Sequence, residues 1–330
     1  MRKVFPILLI GCLSMFFAEV FSGASQSWFI NGWGILITFP LYLCHVLFFL
    51  WIALKFKKTS LYQLYLLGVI FALYESWITK VLWAGYINSA GPGIGAIFGI
   101  AIPEFLILVF FWHPIMSFIL PILVFEVLTK KAIIKHKPIL KKTRKKTILI
   151  ILFLFLVSTF IANGNNFDII SSNLSVVGTL LLISGLYYMS RKTDIKLFEF
   201  NKRSFTIVFI YLFILYVGTF FLLLPERIPH TIAPYISIII FYIVIIYLIL
   251  KSKTVGTKLI NINKDQYSSR DLITFAFVII LALNIANIWP SISHVLLIVT
   301  YYALVIIGTI IFIVTIWKNL KKAILQKYKK

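Results

Sequence analysis

Charge is scarce in this chain of 330 residues, and negative charge scarcest of all: 13% of residues are charged, with only 10 Asp and Glu against 32 Lys and Arg. A soluble domain carries about 25% charged and roughly 45–50% apolar residues. A hydrophobic share of 61% and a mean hydropathy of +1.00 therefore exclude a water-soluble globule. The formal charge of +22 would suggest a nucleic-acid partner. Nucleic-acid binders, however, display their basic residues on a polar, foldable surface, and here long uncharged runs separate them, so nucleic acid is set aside. Cysteine is equally sparse. Cys12 and Cys44 both lie inside apolar runs, which leaves neither a disulfide framework nor a paired-cysteine zinc motif.

What the chain has in abundance is long apolar runs. A spanning helix needs about 20 mainly apolar residues, at about 1.5 Å each, to cross roughly 30 Å of hydrocarbon. Ten stretches qualify, near 4–22, 33–54, 61–82, 103–128, 147–162, 173–190, 204–224, 231–250, 271–288 and 294–316. The expected fold is all-α, a polytopic integral membrane protein of about ten transmembrane helices.

Orientation follows from the excess of Lys and Arg in short cytoplasmic loops. With the N-terminus inside, 30 of the 32 basic residues fall on the inner side: Arg2 and Lys3, Lys55 to Lys58, Lys130 to Lys146, Arg191 to Arg203, Lys251 to Arg270 and Lys318 to Lys330. Lys80 and Arg227 are the exceptions. Both termini are accordingly expected in the cytoplasm, in the plasma membrane, with the basic loops facing anionic lipid. The same pattern allows only one full crossing between Gly91 and Leu128. It leaves Ile94 to Ile102 as an interfacial helix or a re-entrant segment, within the stretch 91–102. Irregular backbone at membrane depth is tolerated where it is buried in protein or lines a wet cavity. Arg2, Lys3, the apolar run and Ser22-Gly23-Ala24 also resemble a secretory signal with its cleavage site.

The chain reads as two unequal modules. Residues 1–128 hold six of the eight Trp, all four Glu that fall within spans (Glu19, Glu75, Glu104, Glu126) and the mid-span His45 and His113. Residues 129–146 form a basic cytoplasmic linker. Residues 147–330 read as three helical hairpins.

Charges within spans cost on the order of 2.5–3.5 kcal/mol at a helix centre and persist mainly where they meet a cavity or a partner. By residue rise, Glu19, Glu75 and Glu104 lie in the outer third of the membrane, with His45 and His113 near the middle. Glu126 is expected to be structural, near the inner surface, within reach of water and of the basic linker. Carboxylates and imidazoles converging in one layer could bind a metal, relay a proton or activate water. The alternative is that each Glu bonds a loop and each His a helix carbonyl. Lys80 stands five residues beyond Glu75, a rotation of about 140°, so it is expected to snorkel outward or to pair with Glu19 or Glu104. Gly95 and Gly99 suggest close helix approach, and His113-Pro114 with Pro121 suggest a kink. Asn284 and Asn287 are read either as meeting this layer or as bonding neighbours. Ser22, Ser27, Asn31, Asn88 and Ser89 fall at the outer mouth by topology alone.

The run Glu75-Ser76-Trp77-Ile78-Thr79-Lys80 resembles the Glu-Glu-x-x-x-Arg motif of the CAAX-protease and bacteriocin-processing (CPBP) intramembrane protease family. That resemblance implies a water-activating Glu75 and a later motif histidine at His113. The run departs from the motif at Ser76 and Lys80, Val109 stands where the family has Phe before its histidine, and His294 is followed by Ile298 where a third motif would need Asn. The residues themselves point first to a transporter-like protein binding a small or lipid-linked substrate at a layer of Glu19, Glu75, Lys80, Glu104, His45 and His113. The alternatives are an intramembrane hydrolase using Glu75 and His113, and a membrane scaffold subunit. No cofactor or metal is legible.

Overall fold

The computed structural model describes residues 3–87, 89, 91–190 and 193–327, and side chains up to 319. Arg2, Asn88, Arg191 and Lys330 lie outside the described residues and side chains. Among the described residues, eight helices are long and apolar enough to cross a membrane. They are preceded or interrupted by shorter ones. In chain order the helices are α1 (Val4–Val20), α2 (Gly34–Lys55), α3 (Leu61–Ala72), α4 (Tyr74–Trp77), α5 (Val81–Ala84), α6 (Ile102–Thr129), α7 (Arg144–Gly164), α8 (Ile169–Met189), α9 (Lys202–Leu222), α10 (Ala233–Lys251), α11 (Ser269–Ile288) and α12 (Pro290–Lys327). The protein is an all-α, multi-pass membrane protein.

Polar residues set the helix starts. Thr143 accepts from the Lys146 N–H, Asp168 from Ser171 and Asn201 from Ser204, each satisfying a donor that the first turn leaves unpaired. Ser268 and Asp271 form a reciprocal capping box before α11. The third apolar run does not form one helix. It breaks after Ala72, resumes for one turn as α4, breaks again at Lys80, whose φ is 57°, and ends at Gly85, with φ 78°. The Thr79 hydroxyl donates to the Glu75 carbonyl at 3.0 Å, occupying an acceptor that a continuing helix would use.

The interfacial helix expected near Ile94 to Ile102 is corrected. Residues Ala96–Ile97 (β1) pair antiparallel with Ile100–Ala101 (β2) across a turn at Phe98 (φ 50°) and Gly99 (φ 74°). Pro92 and glycines at 91, 93, 95 and 99 disfavour a helix there. Gly95 and Gly99 therefore do not form a helix-packing pair. Gly99 instead allows close approach to Pro234, whose Cγ would lie 2.2 Å from an added Cβ.

The chain divides into two compact units, each assembled from three stretches. One comprises residues up to 47, 120–199 and 257–301. Within it α1 packs on α8 and on the end of α6, and α7 packs on α11. A short ribbon joins Lys131–Ile133 (β3) to Leu259–Asn261 (β4). Gly23 and Gly164 touch backbone to backbone, where any side chain would collide. Small polar side chains pair across the helices of this unit: Asn173 with Asn284, Ser172 with Asn287, Ser175 with Asn165 and Ser27, and the Trp28 indole with Thr179. Such bonds act as glue where lipid offers no hydrophobic drive, and they engage both the oxygen and the nitrogen of the Asn284 side-chain amide and the side-chain oxygen of Asn287.

The other unit comprises residues 48–119, 200–256 and 302 onward. Its centre is α3 packed against residues 108–119 of α6, with α10 against α3 and α9 against α4. Gly68 permits this, since a Cβ there would stand 2.6 Å from Pro114 Cα. The Tyr65 hydroxyl donates to the Phe110 carbonyl at 2.7 Å.

Candidate functional site

Helix α6 carries His113 on a distorted stretch. Residues Leu108–Ile119 wind as a π-helix around Pro114, which lacks the N–H an α-turn needs. Such widened turns are rare and recur at functional sites. Across from this stretch, the break after α3 places Glu75 in the single turn α4. The two meet: His113 Nε2 lies 3.1 Å from Glu75 Oε1. Both are buried, at 2% and 7% exposure, and the imidazole packs against the rings of Phe71 and Tyr74 at 5.7 and 5.1 Å between centroids.

The hydrogen bonds assign the imidazole's faces. With Glu75 ionised, His113 Nε2–H donates to the carboxylate and Nδ1 accepts from the Ser117 hydroxyl, 2.9 Å away. The other Glu75 oxygen accepts from Thr79 Oγ1. A chain of hydrogen bonds thus runs Ser117, His113, Glu75, Thr79. Ser117 was missed in the sequence reading. Its signal was the i, i+4 spacing from His113, which puts both on one helix face.

The other sequence candidates of this unit are engaged elsewhere. Lys80 does not snorkel and pairs with neither Glu19 nor Glu104: it is buried, its ammonium donates to the carbonyls of Thr219 (2.9 Å) and Leu223 at the end of α9, and it lies over the Phe220 ring. The final carbonyls of a helix are unpaired and carry its negative dipole end, so a cation fits there. Arg227 makes the reciprocal contact, donating to the carbonyls of Gly85 and Tyr86 at 2.9 Å each. The two exceptions to the inside-positive tally thus bind backbone on each other's segments. Glu104 accepts from the Gly93 N–H at 3.0 Å, while its second oxygen, also buried, has no hydrogen-bond partner among the described residues.

Glu19 and His45 belong to the first unit. Glu19, on a π-type turn at Phe16–Val20, accepts from the Tyr42 and Ser25 hydroxyls at 2.5 Å each. His45 Nδ1 bonds the Leu41 carbonyl at 2.8 Å. Glu126 meets the basic linker, as expected, but is sealed from water. Both its oxygens lie 2.9 Å from His136 Nδ1, and one also accepts from the Ile133 N–H at 3.1 Å. Of the outer-mouth residues, Ser22 bonds the Glu19 carbonyl and Ser89 those of Tyr86 and Gly91. Among the described residues no group of three or more His, Cys, Asp or Glu could hold a metal ion.

Fold and buried polar residues together define the class, a helical multi-pass membrane protein with ionisable residues held inside its spans. Residues 8–327 match an uncharacterized membrane protein family, and the chain belongs to it. A relative from Archaeoglobus fulgidus, described as an uncharacterized protein, is 40% identical over 151 residues, covering 44% of this chain and 46% of its own length. The match thus spans less than half of that relative. No solved structure matches the chain. Nothing in these matches speaks for the intramembrane protease family.

Proposed function

We propose that the protein is a transporter-like membrane protein that binds a small or lipid-linked substrate, with the Glu75–His113 pair as its proton-holding element. The observation that carries this reading is the 3.1 Å contact between the two side chains, buried at the junction of a broken helix and a π-distorted one. Ionisable residues inside membrane spans mark ion or proton pathways, and interrupted helices mark the sites of many transporters. A carboxylate and an imidazole sharing one hydrogen bond exchange a proton with little motion. The bilayer frame of this proposal is ten passes in the plasma membrane, both termini inside, with basic loops against anionic lipid. The modules at 1–128, 129–146 and 147–330 divide the polar, Trp-rich part from the hairpins.

The test uses a single cysteine at Ser89, which is exposed, in a background with Cys12 and Cys44 replaced by Ala. The thiol-labelling rate, corrected for thiolate fraction, is expected to differ at least about threefold between the parent protein and Glu75→Gln, which mimics the protonated carboxyl. Equal rates at every pH from 5 to 8 would overturn the proton reading.

A second reading, an intramembrane hydrolase, is favoured by the connectivity Ser117–His113–Glu75, which joins a hydroxyl, a base and an orienting carboxylate. Its test is labelling by a fluorophosphonate. A label on Ser117 that His113→Ala abolishes would replace the transport reading with this one, and an unlabelled Ser117 would remove it.

A further inference from the structure

Two opposite orphans lie on neighbouring elements of the second unit. Glu104, 1% exposed, has one carboxylate oxygen with no hydrogen-bond partner among the described residues, and the indole N–H of Trp83, 5% exposed, has none either. Trp83 belongs to α5, which packs against Ile102–Ile107, the turn that carries Glu104. α5 also packs against α4, where the Ser76 hydroxyl, fully buried, is a third unpartnered group. Leaving a buried polar group unsatisfied costs on the order of 1–3 kcal/mol each, more for a charge. Three such groups on three adjacent elements are a concentration that packing alone does not explain.

Their chemistry selects among ligands. The carboxylate only accepts, the indole only donates, and the serine hydroxyl does both. An ammonium group would satisfy Glu104 and leave Trp83 unpaired, because it has no acceptor. A phosphate would satisfy Trp83 and be repelled by Glu104. A hydroxyl answers both, accepting from the indole and donating to the carboxylate. The surroundings suit a hydroxyl-bearing ring: Trp83 packs edge to face with Trp77 and Tyr235, at 5.4 and 5.2 Å between ring centroids, so its indole N–H lies in an aromatic surround compatible with the C–H groups of a sugar or polyol. Gly93 donates its N–H to the first Glu104 oxygen, and a Cβ added there would stand 3.5 Å from that oxygen and from Pro103 Cγ.

We propose that Glu104, Trp83 and Ser76 form a binding site for a hydroxyl-rich headgroup, a sugar or polyol. The inference rests on the transporter-like reading for what becomes of the ligand, but not for binding itself, so the two can fail separately. The test is calorimetric titration of the full-length protein, held in an uncharged polyoxyethylene detergent, with dodecyl β-glucoside, free glucose and dodecyltrimethylammonium. Saturable binding of the glucoside is expected, at least about tenfold tighter than that of the ammonium amphiphile, as one hydrogen bond to a charged group predicts. Trp83→Phe keeps the ring and loses the N–H, and Glu104→Gln reverses part of the polarity. Each is expected to weaken glucoside binding about tenfold, and Ser76→Ala by a smaller factor. Should Glu104→Gln fail to fold, Trp83→Phe carries the test.

Glucose competing with the glucoside would assign a soluble sugar. Glucoside binding without glucose competition would assign a lipid-linked headgroup, and both results support the site. Unsaturable glucoside binding, affinity unchanged in both variants, or preference for the ammonium amphiphile would overturn it. Glu75→Gln is expected to leave glucoside affinity within about twofold, so loss of the proton reading would leave this site standing.

Discussion

Helix α6 contributes to two histidine–carboxylate pairs, and they differ in what completes them. Glu126 takes three contacts, two from His136 Nδ1 and one from the Ile133 backbone, and both side chains are sealed. Every one of those donors is fixed by the chain leaving the helix, so the pair pins the linker to the helix end. Glu75 and His113 come from segments 38 residues apart in sequence, on a one-turn helix and a π-distorted stretch, and their other partners include the hydroxyls of Thr79 and Ser117. A hydroxyl can donate or accept by rotating; a backbone N–H only donates. The outer partners of the first pair thus include a donor of fixed direction, whereas the hydroxyls around the second can reverse theirs. Burial is common to both and does not separate them; the identity of the outer partners does, and the proposed proton role rests on that difference.

Substitution by glutamine should expose that difference most strongly. At Glu126 the amide offers one oxygen to donors that occupied two and turns an NH2 toward donors. Glu126→Gln is expected to cost about 3–5 kcal/mol, the range for breaking a buried pair, read as a lowered thermal midpoint in detergent. A stability close to the parent's would dissolve the comparison. Next in size is Gly68→Ala, which drives a Cβ to 2.6 Å from Pro114 Cα. It should cost about 1–3 kcal/mol and also disturb cysteine labelling at Ser89, because α3 and the π stretch together position the Glu75–His113 pair. Stability loss with unaltered labelling would detach the packing from the site.

Glu75→Gln should cost no more than about 1 kcal/mol. Its oxygen can still accept from His113, and its NH2 can donate to the Thr79 hydroxyl. A loss as large as that of Glu126→Gln would make Glu75 structural. The smallest effect concerns Asp168, a helix cap outside both pairs. Hydrogen bonds from Ser171, its backbone N–H foremost at 2.7 Å, hold this carboxyl below its ordinary value of 3.8. A depressed folded pKa means the cap's contribution is complete above about pH 4 and fades as pH falls through the folded value. Between pH 6 and pH 3 the parent should lose slightly more thermal stability than Asp168→Ala. Parallel curves would remove the cap from the account.

Much of the fold was legible because lipid imposes one dominant rule, apolar length. Eight of the ten runs form helices long enough to span, with limits near those expected. The exceptions have local causes that hydropathy does not register. The 61–82 run is apolar throughout, yet it breaks where Thr79 takes a main-chain carbonyl and Lys80 adopts a left-handed conformation. Glu75 and His113 stood out because charge inside a span is costly. Ser117 did not, since a serine in a helix is cheap and common. The partners of Lys80 and of Arg227 are backbone carbonyls, which every residue possesses and no side-chain pattern announces. His136 lay in a loop whose fold back onto Glu126 depends on the pairing of β3 with β4, a contact between segments more than 120 residues apart.

The central claim, that Glu75 shares and exchanges a proton with His113, is open to pH-difference infrared spectroscopy of the carboxyl C=O stretch. The parent protein should show a reversible, pH-dependent carboxyl band that shifts in His113→Ala and vanishes in Glu75→Gln. A titrating band that survives Glu75→Gln unchanged, or no reversible band in the parent, would contradict it.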